Sequence, residues 1–436
     1  MSSGPLADPR FRRLLAGQAL SSFGDAALYL MLGIWAKELT NSDSAAGAVF
    51  LALGLPAFLG PLVGQLADRV RRRPLLIATN AVAGVVVLAL LAVHGRDQLW
   101  IIYAVAFGYG LASGILSSAG AGLRKSLLGD EQAAAGNAML QSVTQALRVA
   151  APLVGTGLFV AVGGGVVAIL DSATFVAAIV ALVTIRLDEG KRRADHADHG
   201  GRGSSFRAEV TAGFRHIRSV PLLFQVTLVT GCAFAVIGLT ETVIFAVVDQ
   251  GLHRSPAFLS VLNTVQGAAA AGGGLVASLL LRRLGVARVV GLALGAFGIA
   301  SLFYMTDSTA LCLCGSIGDG FGLVWLVVGL STAAQVHTPS ALQGRVNSAW
   351  TMAVLAPQSL SIAAGTWLIA VVDYRVLLLA ITVTMAVCAA MLLIRPAAAP
   401  DPAVEPVPEP APEAASEPAP EIVAEPVAEL ATQSTM

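Results

Sequence analysis

Four ionisable residues, Asp25, Arg148, Glu241 and Asp319, stand alone inside long apolar stretches. Placing each in lipid costs at least about 2.5–3.5 kcal/mol on the most lenient scale, so such side chains face a cavity or one another. The chemistry they suit is loading and releasing a proton. A carboxyl group in a dry cavity favours its neutral form, and a nearby guanidinium favours the ionised one. Asp25 is therefore the first candidate for proton coupling, with Arg148 as its counter-charge and Glu241 and Asp319 as further candidates. The competing reading is a static Asp25–Arg148 pair that only fixes helix packing.

Polar and aromatic residues at similar depth suggest a broad pocket for a bulky, partly apolar small molecule. The candidates are Gln18, Phe23, Tyr29, Tyr109, Gln141, Gln145, Asn263, Gln266, Phe321 and Trp325. Aromatic residues at helical spacing also occur as packing or lipid-facing residues, and that reading stays open here. No catalytic cluster is legible, whether HExxH, paired Asp or a GxxxxGK[ST] phosphate loop, so neither an enzyme nor a bound cofactor is expected. Cys312 and Cys314 have no nearby histidine and read as packing residues, not a metal site. The run Asp195-His196-Ala197-Asp198-His199 reads as solvated linker, because nothing near it would fix the geometry of a metal's ligands. No metal and no nucleic-acid partner are expected.

The elements that position these residues follow from composition. Of 436 residues, 56% are apolar and only 12% charged, against about 25% charged in an ordinary soluble domain. Apolar stretches long enough to cross a hydrocarbon core of about 30 Å recur near 12–38, 44–66, 74–94, 98–121, 132–162, 164–186, 221–248, 256–281, 286–306, 308–335, 343–371 and 374–394. The spacing predicts an all-α integral membrane protein with twelve transmembrane helices in two pseudo-symmetric six-helix bundles around a central cavity. With both termini cytoplasmic, 22 Lys and Arg fall inside and four outside (Lys37, Arg96, Arg254 and Arg375), with Arg148 within a span. This agrees with the positive-inside rule.

A shift of 210 residues superposes the halves: Gly64, Arg72 and Arg73 fall on Gly274, Arg282 and Arg283. Gly108 and Gly110 likewise fall on Gly318 and Gly320, Asn137 on Asn347, and Gly155-Thr156 on Gly365-Thr366. The intramembrane charges do not repeat, since their counterparts are Ala235, Gln358, Met31 and Tyr109. The domain boundaries expected are 1–186 and 221–395 for the two bundles, with a cytoplasmic linker at 187–220. Phe206, Val210, Phe214 and Ile217 give the second part of the linker the spacing of an amphipathic helix. Residues 396–436, rich in Pro and Glu, are expected to form a disordered acidic tail.

Between the second and third apolar runs lies Gly64-Gln65-Leu66-Ala67-Asp68-Arg69-Val70-Arg71-Arg72-Arg73. This stretch resembles the signature loop of the major facilitator superfamily. That resemblance implies a cytoplasmic gate motif made of Gly64, Asp68, Arg69, Arg72 and Arg73. Gly64 would allow helices 2 and 11 to approach, and Asp68 would meet the start of helix 11, where the helix dipole favours an anion. Arginines acting only as a topology anchor are the simpler reading, but they would explain neither Asp68 nor Gly64. In the second half Ser278 replaces the aspartate, so no charged latch is expected there.

Ser21-Ser22-Phe23-Gly24-Asp25, Phe206 through Pro221 and Gly344-Arg345-Val346-Asn347 are similar to the drug/proton antiporter branch of macrolide-efflux and siderophore (enterobactin-type) exporters. Helix 5 keeps only Pro152 and one spaced glycine of the exporters' glycine-rich pattern. The resemblance implies a secondary active transporter, with proton-coupled efflux of an amphipathic drug, antibiotic or siderophore by alternating access. It would act as a monomer in the bacterial cytoplasmic membrane, with the small-molecule substrate, protons and the lipid bilayer as partners. An importer or facilitator on the same fold is the alternative, and a non-transporting membrane sensor is an alternative of another class.

Overall fold

A computed structural model describes residues 5–59, 70–185, 206–339 and 342–394. The described residues form helices joined by short turns, without strands. We number the α-helices in chain order: α1 Pro9–Thr40, α2 Asp43–Gly54, α3 Arg72–Leu88, α4 Leu99–Val162, α5 Gly164–Thr184 and α6 Phe206–Ser219. The series continues with α7 Pro221–Ala246, α8 Leu259–Leu284, α9 Val286–Tyr304, α10 Thr309–Val336, α11 Gln343–Leu368 and α12 Tyr374–Ile394. Lipid has no hydrogen bonds to offer, so apolar segments satisfy their backbone within helices.

Ten helical stretches among the described residues are long and apolar enough to cross a membrane. The second expected span is a shorter apolar helix, Asp43–Leu59, which ends where the described residues break off. The eleventh corresponds to the 26-residue α11.

The fourth and fifth expected spans appear as one hydrogen-bonded helix of 64 residues, which if straight would be about 96 Å long. Its contacts with α1 show that it folds back. Going up α1 from Gln18 to Asp25, the partners descend from Arg124 to Tyr109. Going up α1 from Phe11 through Ala27 to Trp35, they ascend from Gly136 through Gly155 to Phe159. The two arms therefore run antiparallel along α1, reversing between Leu128 and Gly136. The intervening residues begin with Gly129 and Asp130, poor helix formers, and continue with Glu131, Gln132 and three alanines, which are good ones. Gly163, with φ +87°, supplies the left-handed turn into α5.

Within the first half, α1 packs on α2, α4 and α5, and α3 packs on α4 and α5. Within the second, α10 packs on α8 and α9, α12 on α7 and α9, and α11 on α7. The two sets meet where α2 lies against α7 and α11, and where α4 lies against α8. Close approach depends on small residues. A Cβ on Gly155 would lie 2.7–2.8 Å from Ala27. The short helix α6 docks on α11 through buried Ile217 and through Gly213, whose Cα abuts the Arg345 carbonyl.

Candidate functional site

Asp25 lies near the middle of α1 and accepts a hydrogen bond from the Tyr109 hydroxyl on the first arm of α4. Arg148, on the second arm, acts electrostatically on both Asp25 and Tyr29, and it forms no ion pair among the described residues. Glu241 on α7 also acts on Tyr29, so the opposite half adds an acid to the same neighbourhood. Tyr29 is 44% exposed. Next to Arg148, the Val149 carbonyl accepts a bond of 3.2 Å from Thr264 of α8. The cluster thus sits where α4 of the first half meets α8 of the second.

A fourth intramembrane acid, not among the residues singled out from the sequence, joins this group. Asp171 on α5 is 1% exposed and packs directly against Gly24, the residue before Asp25. It is the one charged residue in a 21-residue apolar helix. The signal that picked out the other four, a lone charge in an apolar run, was available for it as well.

Asp319 lies apart from this cluster. It is buried between α9 and α10 and accepts a bond of 2.8 Å from Tyr304, whose hydroxyl also lies 3.2 Å from Ser316 Oγ. The 210-residue repeat places Tyr109 and Asp319 at equivalent positions, and each is one member of an Asp–Tyr bond. Position 109 supplies the tyrosine and position 319 the acid.

The proposed pocket residues fall into groups. Gln18 accepts a weak bond of 3.4 Å from Arg124, which also binds Asn137 at 2.6 Å. Phe23 borders a cavity of about 30 Å³ together with Gly24, Asp171 and Thr174. Gln141 is exposed, and the side chain of Gln145 lies outside the described residues. Asn263 turns back to the Leu259 carbonyl at 3.1 Å, while the Gln266 backbone abuts Gly320. Phe321 and Trp325 stack on each other at 5.4 Å, and the indole N–H of Trp325 donates to Gly273 at 3.1 Å. Those two aromatics pack between α8 and α10, whereas Tyr109 hydrogen-bonds Asp25.

From this cluster toward the end of α1 the two halves are closed. Tyr29 meets Phe50 of α2 at 5.2 Å, and Phe50 meets Phe245 of α7 at 5.9 Å. Gly33 gives these rings room, since a Cβ there would lie 2.9–3.0 Å from both Phe50 and Phe245. One turn further on, Lys37 is 3% exposed and pairs with Asp43 at 2.8 Å and with Asp249 at 2.7 Å. Gln250 donates to Asp43 at 3.2 Å. Asp249 and Gln250 belong to a wider turn of helix, Val247–Gly251, that follows α7. The ion network therefore ties α1 and α2 of one half to the end of α7 in the other. Sequence alone counted Lys37 among the external topology charges, at the end of the first span.

Of the signature loop, Gly64, Asp68 and Arg69 lie outside the described residues. Arg72 donates to the Gly122 carbonyl at 3.0 Å and to Ser126 at 3.2 Å, both on α4. Arg73 donates to the Leu182 and Val183 carbonyls at 2.9 and 2.8 Å, a cation at the C-terminal end of α5. Both arginines bond within their own half. The linker run 195–199 and the tail 396–436 also lie outside the described residues.

Comparison with known proteins adds relatives to this geometry. The profile of the Major Facilitator Superfamily matches residues 14–251 and 226–432. An "Enterobactin exporter EntS" of Citrobacter koseri is 24% identical over 355 residues, covering 79% of this chain and 81% of that protein. One of Shigella boydii is 23% identical over 355 residues, with the same coverage. Among solved structures, a mutant form of the nucleoside transporter NupG superposes with a TM-score of 0.72 at 11% identity, covering 88% of this chain and 99% of its own. A bacterial homologue of the iron transporter ferroportin, in its inward-facing state, gives 0.65 at 17% identity, with the same coverage. At such identities the two structures speak for the fold alone.

Proposed function

This chain belongs to the major facilitator superfamily, and from that premise we propose that it is a proton-coupled exporter of an amphipathic small molecule. Membership makes it a transport protein, not an enzyme, and a multi-pass bacterial inner-membrane protein with a small-molecule substrate. Direction, coupling ion and substrate class are our reading. The observation that carries it is the Asp25 cluster: an acid held by Tyr109 with Arg148 in electrostatic reach, and Glu241 of the other half acting on neighbouring Tyr29. The outward direction and a substrate of the siderophore or drug kind draw on the relatives named enterobactin exporters.

In this reading residues 1–186 and 221–395 form two bundles that rock about the site, with both termini cytoplasmic and a single chain as the working unit. The Lys37–Asp43–Asp249 network then closes the outer side, and the loop with Gly64, Asp68 and Arg69 closes the inner side in the opposite state. A proton entering from outside neutralises the acid cluster, and its departure inward resets the carrier. Alternating access requires each network to break in turn.

The test is expression in a bacterial strain stripped of efflux pumps, with antibiotics and siderophores screened with and without a protonophore. The expected result is lower accumulation of at least one compound, reversed by the protonophore and by Asp25→Asn. Higher accumulation on expression would show an importer and overturn the direction. Protonophore-insensitive efflux would overturn the coupling.

A further inference from the structure

The carboxyl group of Asp171 poses a problem in the described structure. Its residue is 1% exposed, and Oδ2 has no hydrogen-bond partner among the described residues. Oδ1 has only the Thr174 hydroxyl, at 3.5 Å. A buried carboxylate in that condition is very costly, whereas a neutral acid is not. Asp171 lies against Gly24, and the charge of the next residue, Asp25, acts on it. Gly24 makes this proximity possible, because a Cβ there would overlap Asp171 Oδ1 and lie 2.6 Å from Thr174 Oγ1. The Tyr109 hydroxyl, which donates to Asp25, also feels the charge of Asp171.

Charge counting narrows the possibilities. The titratable groups facing the pair are Tyr29 from α1, Tyr109 and Arg148 from α4 and, through Tyr29, Glu241 from α7. From α3, which also packs on α5, the cation nearest Asp171 is Arg73. It binds α5 at Leu182 and Val183, roughly 16 Å along the helix from Asp171. Arg124 lies against Gln18, about 10 Å down α1 from Asp25. Among the described residues one guanidinium, Arg148, therefore faces the pair, and it acts on Asp25 but not on Asp171. With both ionised, the buried group keeps an uncompensated negative charge, and a single proton removes it.

We propose that Asp25 and Asp171 form an acid pair that binds one shared proton. Asp171 is the dry member and Asp25 the member that Tyr109 holds and Arg148 can reach. The inference rests on the proton-coupling reading and names the site at which that proton is held. On loading, a proton from water forms an O–H bond with one carboxylate. On release, that O–H bond breaks, the proton returns to water and Arg148 balances the charge left behind. The proposed occupant is a proton, and a sodium ion is the alternative that the titration below distinguishes.

The test is infrared pH titration of the purified full-length chain in lipid, reading the carboxylic-acid band as wild type minus variant. Interacting acids titrate in two coupled steps that belong to the pair. Asp25→Asn and Asp171→Asn should each remove both coupled steps, leaving one step displaced by at least about one pH unit from the upper wild-type step. Tyr109→Phe, which keeps both acids, should retain two steps and move one. The pair is overturned if Asp171→Asn leaves the Asp25 step in place, or if the spectral losses of the single variants simply add in the double variant. Titration curves that change when sodium replaces potassium would overturn the proton as occupant. If instead the coupled steps are present but Asp25→Asn still supports proton-driven efflux, the coupling reading fails while the pair stands.

Discussion

Replacing Lys37 with Met removes the one cation that two carboxylates share across the halves. Lys37 and Asp43 are 3% and 8% exposed, so the substitution leaves Asp43 buried with only Gln250 beside it. Removing one partner of a buried pair costs about 3–5 kcal/mol. The Asp249 side chain is 42% exposed and recovers water when freed, which puts the cost near the lower end, about 3 kcal/mol. That corresponds to a shift of about 150-fold in the balance between the closed arrangement and any state in which this end has parted.

The measurement is electron–electron resonance between spin labels at the exposed positions Glu38 and His253, after replacing the exposed Cys232 and Cys314 with Ser. The unsubstituted network should give one short distance, and Lys37→Met should add a longer population that dominates or equals it. Asp249→Ala should have a much smaller effect than Lys37→Met, because its pair is partly solvated. An unchanged distance distribution in a folded Lys37→Met protein would refute the claim that these charges hold the end shut.

Other substitutions probe other layers. Gly155→Ala should lower thermal stability by about 1–3 kcal/mol in an unfolding assay, since the new methyl must displace the Ala27 backbone. Arg73→Ala should destabilise the end of α5 by about 1–3 kcal/mol through its loss of two carbonyl partners, read as faster amide exchange near Leu182 and Val183. Tyr109→Phe removes the donor to Asp25, worth about 1.5–3 kcal/mol if the acceptor is charged, and should displace the pH profile of transport without abolishing it. At the start of α1 the hydrogen bond from Arg10 holds the Asp8 carboxyl below its ordinary 3.8. Protection of the first turn is therefore complete above about pH 4 and is lost as the pH falls through the lowered value, which amide exchange against pH would detect.

Much of this molecule was legible in its sequence because membrane helices announce themselves by length and apolarity. The reversal within α4 was legible as the break between the expected spans 98–121 and 132–162, but the helical backbone running through it was not, because Gly129-Asp130 is followed by good helix formers. The contacts with α1 agree with that break, since the two arms run antiparallel along it. The ion network was hidden for a different reason. Lys37 and Asp249 are 212 positions apart, each near the end of an apolar run, where a charge reads as an ordinary anchor. Asp171 carried the same signal as Asp25, yet its relation to Asp25 depends on Gly24, and no spacing rule connects residues 24 and 171. Phe321 and Trp325 looked like pocket walls by depth, but depth does not say which side of a helix meets its neighbour.

The central claim, that this chain couples export to proton entry through Asp25, is tested most directly in proteoliposomes holding a trapped pH indicator. A compound identified in the efflux screen would be added to purified protein under an imposed pH gradient. Substrate-dependent proton flux is expected in the wild-type chain and none in Asp25→Asn, with substrate still bound. Substrate movement without proton flux, or equal flux in Asp25→Asn, would contradict it.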